Sequence, residues 1–189
     1  MRDKIPLALA SGLFFAIALL AQTNYSHIGR TPSPAEIKQW DITVLPNGVG
    51  LPPGSGTPAQ GEALYRAQCA VCHGAKGEGN AALGPALVGG VGSLATPKPL
   101  KTVGSYWPYA TTVWDYIHRS MPYDRPGALT ADETYAVTAF LLFRNGIIPR
   151  DQVMDRESLP KVRMPNRDGF IPDNRPDVGK NAHPPQTVR

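Results

Sequence analysis

Apolar residues recur at helical spacing in three stretches of this chain, each opened by a capping signal and closed by a breaker. The first follows Thr57-Pro58-Ala59-Gln60: a threonine cap, a proline at the first helical position and a glutamine three residues after the cap. It predicts a helix from about Pro58 into the Cys-Ala-Val-Cys-His pentapeptide at 69–73, with Leu64 and Tyr65 on the buried side. The second runs from about Tyr109 to Ser120, with Val113, Trp114 and Ile117 on one face. It stops near Met121, because Pro122 disfavours the helical conformation of the residue before it. The third opens on Thr130-Ala131-Asp132-Glu133, another capping box, carries Tyr135, Ala139, Phe140 and Phe143 on one face, and closes at Asn145-Gly146.

Between and beyond these stretches the periodicity breaks down. Residues 22–56 read as a Pro/Gly-rich linker, with Leu51-Pro52-Pro53-Gly54-Ser55-Gly56 the clearest loop and Ile42-Thr43-Val44-Leu45 at most a short extended piece. After Pro149, the prolines at 160, 165, 172, 176, 184 and 185 argue against a regular core element. Residues 150–189 are therefore expected to form an irregular tail, disordered over about its last dozen residues. The fold class is all-α, with one compact domain over 57–149 and no internal repeat.

The first residues have a different composition. Arg2 and Lys4 precede a mostly apolar run from Ile5 to Ala21, the layout of a secretory leader. The run also sits at the lower edge of the length that spans a bilayer. Residues 1–21 are thus a cleaved signal peptide or a retained membrane anchor. Either reading exports the rest of the chain to the periplasm, and a membrane is involved only if the segment is retained. Charge is uneven as well. Residues 22–143 hold eight Lys/Arg and eight Asp/Glu, whereas residues 144–189 hold nine against six. No dense basic run with interleaved aromatics occurs, so nucleic acid is not an expected partner.

The chemistry lies in the pentapeptide. Cys69 and Cys72 are the only cysteines among the 189 residues, and His73 follows directly. C-x-x-C-H is the attachment signature of a c-type haem: two thiols add to the two vinyl groups of one porphyrin, and the imidazole becomes its proximal ligand. A zinc site would need more thiolates, and a thioredoxin-like pair would sit in a βαβ pattern that is missing here. The porphyrin would also supply the core that three short helices lack. Gly84-Pro85-Ala86-Leu87 lies eleven residues after the histidine. A Pro85 carbonyl there would accept the proximal imidazole N–H. For the sixth ligand the choices are Met121, Met154, Met164, His118 and His183. Met121 is the expected one, standing in the inter-helix loop 48 residues after His73 and stiffened by Pro122. A filled sixth position favours electron transfer over catalysis. The aromatic run Tyr106-Trp107-Pro108-Tyr109 is expected to wall the haem, with Trp107 against it.

Together the pentapeptide, the Gly-Pro-Ala-Leu loop, the Met-Pro loop and the terminal helices bearing Gly61, Tyr65, Tyr135 and Phe140 resemble a class I cytochrome c. The resemblance implies three to five short helices around one covalent haem, with the first and last helices crossing. More narrowly, WDITVLPNGVGLPPGSGT (40–57), TVGSYWPYATTVWDYIHRSMPY (102–123) and LPKVRMPNRDGF (159–170) resemble the cytochrome subunit of bacterial sulfane dehydrogenase, part of a thiosulfate-oxidising system. That resemblance covers about residues 35–172. It implies a molybdenum-cofactor partner subunit that hands over electrons from oxidised sulfane sulfur, and a further cytochrome or oxidase as onward acceptor. The typical member of that family carries two haems, whereas this chain has one C-x-x-C-H. The competing readings are a general respiratory cytochrome c and a haem catalyst or sensor with an open sixth position.

Overall fold

The computed structural model describes residues 28–171. Residues 1–21, expected to be a signal peptide or a membrane anchor, the ligand candidate His183 and the end of the tail lie outside the described residues. Among the described residues no helix is long and apolar enough to cross a membrane. The chain divides into two units, one ending at Asp41 and one beginning at Ile42.

The first unit holds helix α1, Pro34–Trp40, inside the expected linker. Ser33 and Glu36 form a full capping box there, and Arg30 pairs with the Glu36 carboxylate. Hydrogen bonds from Arg30 and Ser33 hold that carboxyl at about 2. None of its side chains is buried.

In the second unit, Leu45 and Val49 close a turn where an extended piece had been considered, with Leu45 N–H accepted by Val49 O at 2.8 Å. Helix α2, Pro58–Gln68, begins at the Thr57 cap, where Gln60 returns a hydrogen bond to the cap backbone. A separate turn, α3 (Ala70–His73), carries the second cysteine and the histidine. Helix α4 is Ala110–Ser120, capped by Met121 at its C-terminus, and helix α5 is Ala131–Arg144, capped by Asn145. The sequence pattern marked these helices because each start is a local hydrogen-bonding device or an abrupt change in periodicity.

Helices α2 and α5 meet at Gly61. A Cβ there would collide with the Ala136 carbonyl and come within 2.8 Å of the Phe140 Cβ. Tyr65 meets Phe140 just beyond, the rings tilted by 46° with centroids 5.1 Å apart. Only a glycine lets the two backbones approach this closely.

The core extends past both expected bounds of the domain. Leu51 is buried upstream, and Met154, Leu159, Val162 and Met164 are buried downstream. The segment expected to be an irregular tail thus packs as a strap. Its strand β2, Met154–Asp155, pairs antiparallel with β1, Ser55–Gly56, and a 3-10 turn follows at Leu159–Lys161. The sequence pattern missed the strap because its apolar residues contact the core through irregular backbone and follow neither helical nor strand spacing.

Asp155 fastens the strap's turn. Its Oδ1 accepts from Ser158 N, Ser158 Oγ and Glu157 N at 2.7, 2.8 and 2.9 Å. These bonds, led by the Ser158 backbone, hold the carboxyl below its ordinary value. A depressed folded pKa gives stability that is present above the unfolded carboxylate value, about 4, and lost as pH falls through the folded one. The protection factor of the Ser158 amide against solvent exchange is therefore expected to fall on acidification and to show no such step in Asp155→Asn. A wild-type protection factor constant down to the lowest pH at which the domain stays folded would contradict this.

Candidate functional site

A cavity of about 560 Å³ opens between α2–α3, the Gly84–Leu87 loop, the loop after α4 and the inner face of α5. That volume is in the usual range for a site that buries a sizeable ligand. Cys69, Cys72 and His73 form one wall, and Met121 contributes to another. Ile117, Leu129, Val137 and Leu141 add aliphatic surface.

His73 is oriented from behind. Its Nδ1–H donates to the Pro85 carbonyl at 2.8 Å, which leaves the Nε2 lone pair free to bind a metal. Gly84 lies against the ring edge, and a Cβ there would sit 3.1 Å from both Cε1 and Nδ1. The turn after the histidine is held by Tyr65, whose hydroxyl donates to Gly74 O at 2.9 Å. Burial, with Cys69 and Glu78 adding, pushes that phenol up to about 12.

The two cysteines are free thiols in this structure. Burial, and secondarily Cys72, pushes the Cys69 thiol up to about 11. Both thiols border the cavity, within reach of a group seated in it.

Of the sixth-ligand choices, only Met121 lines the cavity among the described residues. Its peptide bond to Pro122 is cis. Met154 and Met164 belong to the strap and are fully buried in the core. His118 stacks on the Trp114 ring, 4.7 Å between centroids, on a part of α4 outside the cavity lining. An apolar, half-open cavity with two adjacent thiols, one oriented imidazole and one thioether has the donor set of a covalently attached haem.

Trp107, expected against the haem, packs on the core but is not among the residues that line the cavity, and its ring meets Tyr116 edge-on at 5.5 Å. Its neighbours bind the strap instead: Tyr106 contacts Phe170 at 5.2 Å, and the Arg167 guanidinium lies 4.4 Å from the Tyr109 ring. Tyr123 and Leu83, which sequence reasoning did not single out, do line the cavity and are largely exposed at its mouth.

Comparison with known proteins agrees with this geometry. Residues 56–141 match the family model described as cytochrome c oxidase, cbb3-type, subunit III. The crystal structure of the sulfane dehydrogenase SoxCD from Paracoccus pantotrophus contains a chain 48% identical to this one, with a TM-score of 0.72. That match covers 87% of this chain and 82% of the other. A thiosulfate dehydrogenase (TsdBA) from Marichromatium purpuratum aligns at 21% identity over 79% of this chain and 32% of its own, and its TM-score of 0.34 carries no weight. No curated protein sequence matches significantly.

Proposed function

This chain belongs to the c-type cytochrome family represented in the sulfane dehydrogenase SoxCD, and from that membership we propose that it is the electron-accepting subunit of a molybdenum-dependent dehydrogenase for sulfur compounds. It is a carrier of single electrons, with haem c as its cofactor. The observation that carries the proposal is the 48% identity over most of both chains, joined to a cavity that gathers Cys69, Cys72, His73 and Met121.

Haem c, when bound, supplies a one-electron iron couple. Cys69 and Cys72 would anchor the porphyrin, and His73 and Met121 would be the side chains that ligate the iron. The Pro85 carbonyl fixes the His73 ring and raises its basicity. The aliphatic side chains of Ile117, Val137 and Leu141 would give the group an apolar surround, which would favour its state of lower net charge. An iron held by both His73 and Met121 would have no position left for a substrate, and the chain's task would be to accept and release electrons. The onward acceptor would be a further cytochrome or an oxidase, and the setting the periplasm.

Purification of the native complex from its host, with metal analysis, tests this reading. Molybdenum in equal amount to haem, and reduction of the haem bands on adding a reduced sulfur compound, are expected. A cytochrome that purifies free of molybdenum and is reduced only by other respiratory donors would overturn the proposal in favour of a general carrier.

A further inference from the structure

Asn145 ends helix α5, and its side chain does considerably more than cap it. The amide nitrogen donates to Leu141 O at 2.9 Å and to Leu87 O at 3.1 Å. The amide oxygen accepts from Gly89 N at 3.1 Å. One side chain thus joins the last turn of α5 to the loop that follows Pro85, and Leu141 and Leu87 both line the cavity. Gly104 leaves the space for it, since a Cβ at Gly104 would collide with the Asn145 amide oxygen.

The rest of the loop is held from two further sides. Leu87 N and Val88 N both donate to Gly77 O, at 2.8 and 3.0 Å. The Thr102 hydroxyl donates to Gly89 O at 2.6 Å, and Thr102 and Ser105 are themselves buried and exchange hydrogen bonds. Pro85, whose carbonyl receives the His73 N–H, stands two residues before the first atom Asn145 holds. Without the Asn145 amide, Leu87 O and Gly89 N lose their partners together, and the anchors at Gly77 and Thr102 remain.

We infer that Asn145 is a positioning residue for the iron site: by clasping Leu87 and Gly89 it fixes the Pro85 carbonyl on the His73 Nδ1–H, and so sets the basicity of the proximal ligand. The inference rests on the haem-binding role proposed for His73. A slackened loop lengthens the His73–Pro85 bond, makes the imidazole a poorer donor and destabilises ferric iron. The reduction potential then rises.

The test uses the full-length holoprotein and two readouts, the midpoint potential and the exchange of the His73 Nδ1 proton with deuterated water. In Asn145→Leu, which keeps size but makes no hydrogen bonds, the potential is expected to rise. Exchange of the proton should quicken by up to roughly thirtyfold, the effect of losing two hydrogen bonds of ordinary net strength. Asn145→Asp keeps an acceptor for Gly89 N but cannot donate to Leu87 O or Leu141 O; because its added negative charge itself lowers the potential, its readout is the exchange, which should quicken likewise if the leucine variant fails to accumulate. Met154→Ala serves as the control, because it destabilises the core away from the loop and should leave both readouts unchanged. Unaltered potential and exchange in the Asn145 variants would overturn the inference while leaving the ligation by His73 intact. A wild-type protein whose spectra show no histidine on the iron would overturn both.

Discussion

Replacing Met121 by alanine is expected to lower the reduction potential by a substantial part of the roughly 0.8 V range that axial ligation commands, and to abolish the weak methionine–iron charge-transfer band of the oxidised protein. The argument is one of position. A thioether favours ferrous iron, and Met121 is the only methionine lining the cavity among the described residues. Met154 and Met164 anchor the strap in the core, so their alanine variants should lose stability and keep the band. Absorption of the three oxidised variants side by side checks this. A band that survives in Met121→Ala and vanishes in either of the others would reassign the ligand.

The second large effect concerns the fold that builds the cavity. Gly61→Val is expected to destabilise the holoprotein by about 3 kcal/mol, the upper end of overpacking costs. The added carbons meet the Ala136 carbonyl and the Phe140 Cβ, and a backbone group in the middle of α5 cannot swing aside as a flexible side chain would. Because Val137 and Leu141 of the same helix line the cavity, separating α2 from α5 should also loosen the haem wall. Denaturant titration of both proteins checks the figure. A midpoint shift no larger than that of an exposed-site change such as Ala63→Val would show that the helix contact tolerates the bulk.

How far the sequence could be read follows from where the information sits. Helices α2 and α5 were legible because Thr57/Gln60 and Thr130/Glu133 each complete a capping box within four residues. Ser33 and Glu36 carry the same signal for α1, hidden in a stretch whose prolines and glycines suggested a linker. Cys69, Cys72, His73 and Pro85 were legible because their chemistry depends on short, fixed spacings. The strap was not legible. Met154, Leu159, Val162 and Met164 are buried by contacts with distant parts of the chain, and nothing local distinguishes them from exposed apolar residues in a loop. The sequence placed Trp107 near the site but could not show its partner, Tyr116, nine residues on. Asn145 looked like a helix stop alone, because its partners Leu87 and Gly89 are more than fifty residues away in sequence.

The most direct measurement of the central claim is extraction of the purified holoprotein with acidified organic solvent, read by absorption of both phases. Covalent attachment through Cys69 and Cys72 predicts that the haem spectrum stays with the polypeptide and that the alkaline pyridine adduct has the bands of a haem with saturated vinyl groups. Pigment that passes into the solvent, or a protein that is colourless from the start, would contradict it.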